Sequence, residues 1–218
     1  NKQKLSFEDD SMLPEFVYLN PKFLVSLPQS LTLSTCLDAL CHSIDSLWNR
    51  NKTSESIQLS IKALEIINKY LPLVLNDLEN LNVREKLLEA SNLSGQAINI
   101  SRTSLNHSIS SPLTSLYKIP HGFACAFSIV SIINKFYEKI NKLPGGKLII
   151  ESGDILKTLN FNEGFDNLIK FESLFRHSFD STNVTKLVLM NSRITNFEFE
   201  ISSKELNEII QNSYNLYS

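Results

Sequence analysis

Apolar side chains recur along most of the chain at intervals of three and four, the spacing of one face of an α-helix. From Gln29 the positions are Leu31, Leu33, Cys36, Leu37, Leu40, Cys41, Ile44 and Leu47. A polar break, Asn49 to Thr53, follows. Ser54 is placed to cap a second helix through Ile57, Ile61, Leu64 and Ile67 towards Pro72. A third helix is predicted over about Arg84 to Ile100, and a strongly apolar one over Gly122 to Lys139. Beyond the loop Pro144-Gly145-Gly146, shorter amphipathic pieces lie near Lys147–Leu159, Phe165–Phe175, Asn183–Met190 and Ser203–Tyr217. Strand signals are few. Glu15-Phe16-Val17-Tyr18-Leu19 has the β-branched and aromatic content of an edge strand, and Thr195–Ile201 is a second candidate.

The expectation is a mostly α fold: residues 1–20 form a connector with an edge strand, and residues 21–218 an all-helical domain. Pro14, Pro21 and Pro28 punctuate the connector. The chain has 218 residues, 42% of them hydrophobic, enough to bury a core without disulfide or metal staples. A bound metal would therefore serve chemistry more than folding. A net charge of −2 gives no basic footprint for nucleic acid. The longest apolar run, Gly122 to Ile133, is too short to span a bilayer. Cys36, Cys41 and Cys125 form no CxxC pair and read as packed, reduced thiols of a cytoplasmic protein.

The candidate chemistry lies in the histidines, of which there are four. Asp38 and His42 stand four apart on the first helix, so a carboxylate and an imidazole share one face, close enough to chelate a cation. Such a pair also serves as a surface hydrogen bond, or the acid pairs with a basic side chain from another helix. The apolar neighbours Leu37, Leu40, Cys41 and Ile44 weigh towards burial, where an acid needs a partner. His107 and His121 add two imidazoles, the latter in the turn Pro120-His121-Gly122. One carboxylate with three imidazoles suits iron, zinc, cobalt or nickel better than magnesium or calcium. His177 is expected at a surface or helix end, and Trp48 in the core.

Three blocks carry a family resemblance. Leu37-Asp38-Ala39-Leu40-Cys41-His42-Ser43-Ile44-Asp45 resembles the DAL-x-HAIE signature of the iron-containing (group III) alcohol dehydrogenases. Ser94-Gly95-Gln96-Ala97 resembles their AG-x-A helix. His107, Pro112 and Ile119-Pro120-His121-Gly122 resemble their H-x3-HP…PHG signature, in the same order and spacing. The resemblance implies that Asp38, His42, His107 and His121 ligate one divalent metal, iron or zinc. It implies the helical C-terminal half of a dehydroquinate synthase-like, iron alcohol dehydrogenase fold. NAD(P)H would be held by an N-terminal dinucleotide domain that has no counterpart in these residues. The implied function is reduction of an aldehyde or oxidation of an alcohol, with a homo-oligomer expected. A metal-binding helical module without catalysis is the alternative.

The chain departs from the pattern in places. Ser111 stands where many members have a further histidine that assists proton transfer, Asp45 replaces the usual Glu, and Asn20-Pro21 replaces Asp-Pro. Asn99-Ile100-Ser101-Arg102-Thr103-Ser104 and Leu47-Trp48-Asn49 resemble the branch that reduces phosphonoacetaldehyde. Ser111 is thus the candidate proton relay, and Arg102 the candidate clamp for a phosphonate.

Overall fold

The computed structural model describes residues 10–159 and 179–217. Nine helices run through them: α1 Gln29–Leu47, α2 Ser54–Asn76, α3 Leu81–Ser101, α4 Leu105–Tyr117, α5 His121–Ala126, α6 Ile129–Ile140, α7 Gly146–Thr158, α8 Ser181–Leu189 and α9 Ser203–Tyr217. Among the described residues there is no strand, only a single bridge between Asn49 and Phe197. The fold is mostly α, as the spacing predicts. The expected helix over Phe165–Phe175 and His177 lie outside the described residues.

Helix α1 is the axis. Leu33, Leu37, Leu40, Cys41, Ile44 and Leu47 are all fully buried, and the helix is apolar on most sides. It packs against α2, α3, α4, α5 and α7. A helix apolar nearly all round belongs in the interior, and this one carries its polar groups, Asp38, His42 and Asp45, into the middle of the domain. Local chemistry sets the boundaries. Thr53 and Ser56 form a capping box: Ser56 N–H donates to Thr53 Oγ1 at 3.2 Å and Thr53 N–H to Ser56 Oγ at 2.9 Å. Asn80 Oδ1 accepts from Val83 N–H at the head of α3, and Ser202 pairs reciprocally with Glu205 at the head of α9.

Three expectations are corrected. Helix α2 continues through Pro72 to Asn76 instead of ending there. The apolar run from Gly122 is two helices, broken around Phe127 and Ser128. Neither strand forms: residues 16–20 are irregular and mostly exposed, with no neighbour to pair with among the described residues, and Ser192–Asn196 is a 3-10 turn. The β-branched and aromatic content is there, but a strand needs a partner edge.

One glycine fixes how α5 meets α1. A Cβ on Gly122 would fall 1.7 Å from the Ser34 carbonyl oxygen, so backbone meets backbone with no room for a side chain. That contact seats His121 beside α1. Replacing Gly122 with Ala should force the two helices apart and cost about 1–3 kcal/mol or more. Chemical denaturation would read this as a lower midpoint; an unchanged midpoint would refute the close packing.

Candidate metal centre

His107 lies in the first turn of α4, and its position is set from outside that helix. Ser104, the residue before α4, makes no side-chain cap bond. Asp45, from α1, takes that role. Its fully buried carboxylate accepts from the backbone N–H groups of Ser104 at 2.9 Å, Asn106 at 3.1 Å and His107 at 3.3 Å. Trp48 Nε1 and Ser104 Oγ also donate to it, each at 2.9 Å. An anion among orphan N–H groups at a helix N-terminus is well placed. Burial opposes the charge, but His107 and these donors outweigh it and hold the Asp45 carboxyl below its ordinary pKa.

The same carboxylate orients the His107 ring. His107 Nδ1 sits 2.8 Å from Asp45 Oδ2. With Asp45 ionised, Nδ1–H donates, and Nε2 is the atom left to face the opposite way. There it meets Asp38 Oδ1 at 3.4 Å. His42 Nε2 and His121 Nε2 each lie 3.6 Å from the same oxygen. The His42 and His107 rings are stacked with centroids 4.9 Å apart, and His121 meets His107 edge-on. The structure thus brings the His42, His107 and His121 rings around one Asp38 oxygen, but the group whose ligand atoms all lie within 4.8 Å of one another is Asp38, His107, His121 and Cys125, without His42. The expected turn at His121 is the first residue of α5, with Pro120 just before it.

Burial pulls the charge balance one way and the cluster pulls it the other. Desolvation raises the Asp38 carboxyl, yet the three imidazoles facing it bring its pKa down to about 2. Desolvation, with repulsion from His107 and His121, pushes His42 down to about 4. His107 is shifted upward despite its burial, because Cys125, Asp38 and Asp45 surround it.

Two atoms show that the cluster fits a cation. Asp38 Oδ1 and His107 Nε2 are buried without a hydrogen-bond partner among the described residues. A buried acceptor without a partner is costly. Nitrogen and oxygen ligands at about 2.1 Å from a tetrahedral ion stand roughly 3.4 Å apart. The separations of 3.4, 3.6 and 3.6 Å from Asp38 Oδ1 match that edge. A divalent ion would satisfy both orphan atoms at once.

Cys125 is the neighbour that sequence reasoning assigned to packing alone. It is buried, but its Sγ lies 3.6 Å from His121 Nε2, and it groups with Asp38, His107 and His121 within 4.8 Å. Its signal was present: His121 and Cys125 stand four apart, like Asp38 and His42. Trp48 and Cys41 are in the core, as expected.

The cluster opens onto a cavity of about 1400 Å³, which His42, His107 and His121 line. Ser111 and Arg102, the two residues singled out for catalysis, line the same cavity as the three imidazoles. Arg102 follows α3 with a left-handed backbone, φ 69°.

Asp45→Asn should lower metal affinity about 10- to 100-fold, because the ring loses the group that orients it. Chelator competition on variant and parent would show it; equal affinities would remove Asp45 from the centre.

Residues 32–147 match the Fe-containing alcohol dehydrogenase family, C-terminal. The chain is 30% identical over 143 residues to the NAD-dependent methanol dehydrogenase of Bacillus methanolicus, a match covering 62% of this chain and 38% of that one. It is 32% identical over 129 residues to the phosphonoacetaldehyde reductase of Streptomyces viridochromogenes, covering 59% and 33%. The matches thus span a third to two fifths of these relatives' length. The iron-containing alcohol dehydrogenase of Thermococcus thioreducens superposes with a TM-score of 0.73 at 18% identity, over 90% of this chain and 54% of that one. A 1,3-propanediol oxidoreductase gives 0.74 at 19% identity, over 88% and 54%. With the family match spanning more than half of its residues, the chain belongs to the Fe-containing alcohol dehydrogenase family and corresponds to its C-terminal helical region.

Proposed function

We propose that this chain is the metal-binding half of a nicotinamide-linked alcohol dehydrogenase working as an aldehyde reductase. Residues 21–218 would form the metal domain and residues 1–20 a connector from a dinucleotide-binding domain. The observation that carries the reading is the convergence of three imidazole Nε2 atoms on one Asp38 oxygen, with two of the atoms buried and unsatisfied. Asp38, His42, His107 and His121 would hold the ion, iron or zinc. When bound, a divalent ion supplies Lewis-acid polarisation of a carbonyl oxygen.

The chain's own residues supply the rest. Asp45 fixes His107, and Gly122 lets His121 close on α1. Ser111 lines the same cavity as the imidazoles, and its hydroxyl would pass a proton between solvent and the substrate oxygen. A hydroxyl cannot store the proton near neutral pH as an imidazole would, so it serves as a relay. The cavity walls would keep the aldehyde beside the imidazoles, with Arg102 among the residues that line it. Phosphonoacetaldehyde is the specific substrate we favour. The reductase of that aldehyde is among the relatives, and guanidinium matches a phosphonate.

In the full-length protein, His107→Ala should abolish both metal binding and NAD(P)H-dependent reduction of phosphonoacetaldehyde. Elemental analysis and nicotinamide absorbance measure the two. Metal retained at the parent stoichiometry would overturn the ligand assignment. Ser111→Ala should keep its metal and lose about 10²-fold in kcat; an unchanged kcat would remove the relay.

A further inference from the structure

The proposed reaction leaves one group of the cluster, Cys125, without a part. Its side chain is fully buried. It stands four residues after His121 on α5, so the thiol and the imidazole share one face of the helix, a turn apart. The Sγ atom lies 3.6 Å from His121 Nε2 and 3.9 Å from Nδ1. Cys36 and Cys41 are buried as well, but neither joins a group of ligand-type atoms among the described residues.

Four ligand atoms lie within 4.8 Å of one another: a carboxylate oxygen of Asp38, a ring nitrogen each of His107 and His121, and Cys125 Sγ. His42 is not in that group. Three helices supply it: Asp38 comes from α1, His107 from α4, and both His121 and Cys125 from α5. Around a tetrahedral zinc ion, nitrogen at about 2.0–2.1 Å and sulfur at about 2.3 Å stand roughly 3.6 Å apart. The separation of Sγ from His121 Nε2 equals that edge. The positions are braced. Backbone contact at Gly122 seats α5 on α1, and Asp45 holds the His107 ring.

Two further observations bear on the sulfur. Asp38 Oδ1 and His107 Nε2 are buried without a hydrogen-bond partner among the described residues, and His107 is only 4% exposed. A thiol is a single weak donor and cannot satisfy both atoms; a cation bound with the thiolate would. The two sides of the cluster also differ. His42, His107 and His121 line the cavity, and Cys125 does not. The sulfur therefore stands on the enclosed side of the cluster and His42 on the open side.

We propose that Cys125 is a metal ligand, its thiolate completing a tetrahedral set with Asp38, His107 and His121. The proposal rests on the reading that this cluster binds a divalent ion, and it changes the fourth donor from an imidazole to a thiolate. The thiol releases its proton to solvent as the sulfur–metal bond forms. His42 is left on the cavity side, where a substrate oxygen would arrive. A soft thiolate favours zinc over iron(II) more than another imidazole does, so the centre should lean towards zinc.

The test is X-ray absorption at the zinc edge on full-length, zinc-loaded protein kept under reducing conditions. The parent should show a sulfur shell at about 2.3 Å beside nitrogen and oxygen at about 2.0–2.1 Å. Cys125→Ser should lose the sulfur shell, and His42→Ala should keep both its zinc and its sulfur shell. Competition between zinc and iron(II) should show a narrower preference for zinc in Cys125→Ser than in the parent. A parent shell of nitrogen and oxygen alone would overturn the proposal, and that spectrum decides it whether or not the variants fold. Sulfur retained in Cys125→Ser would give the ligand to another thiol and overturn it too, as would loss of zinc from His42→Ala or an unchanged zinc preference. A parent that takes up no zinc would instead sink the metal reading on which this one stands.

Discussion

A single buried carboxylate holds the arrangement together. Asp45 is fully enclosed, and an ion removed from water needs several strong partners to persist. It has them: three backbone N–H groups at the start of α4, the Trp48 indole, the Ser104 hydroxyl and the His107 ring. These bonds dock α4 on α1 and orient one imidazole in the same act. If the carboxylate were lost, the N-terminal donors of α4 would be buried without partners and His107 would be free to turn. Stability of the helix pair and geometry of the cluster therefore depend on the same atoms.

The second constraint is steric. His121 reaches Asp38 only because α5 lies backbone-to-backbone on α1 at Gly122. The cluster is built from α1, α4 and α5, so two independent contacts must both be right. One is polar, at Asp45, and the other is a close approach without side chains. The ligand-type residues themselves contribute little to holding these helices: Asp38, His42 and His121 are partly exposed and repel or attract one another across a shared point. Rigid helices carry the geometry, and the cluster exploits it.

Much of this was legible in the chain. The spacing of Leu33, Leu37, Leu40 and Ile44 defines α1, and Asp38 and His42 must then share a face. The pairing of α1 with His107 and His121 was not derivable from spacing, since it depends on how three helices meet; the family blocks supplied it. Other features were hidden for physical reasons. Pro72 sits inside α2, where sequence rules place a helix end, because tertiary packing overrides the local cost. The division of the apolar run into α5 and α6 leaves no polar mark, since both halves are buried. Glu15 to Leu19 has strand chemistry without a strand beside it among the described residues. Asp45 registered only as a shortened acid, because its value lies in donors contributed by another helix.

That shortening has a geometric consequence. An aspartate carboxylate stands one methylene nearer its own backbone than a glutamate, so whatever it bonds must come closer to α1. In this chain the partners are three main-chain N–H groups at the tip of α4 together with the Trp48, Ser104 and His107 side chains, all within 3.3 Å. The Trp48 indole, just past the end of α1, closes over the same carboxylate, and its other partner, Ser104, ends the short loop that starts at Arg102 and leads into α4. Asn49 follows Trp48 directly and holds the Arg102 carbonyl. The end of α1 is thus a continuous chain of contacts from the imidazole cluster, through Asp45, Trp48 and Asn49, to the arginine at the cavity wall. The residue that orients His107 and the residue that braces Arg102 lie within a turn of each other. The spacing between the imidazole cluster and the Arg102 backbone is thus set by one short stretch of chain.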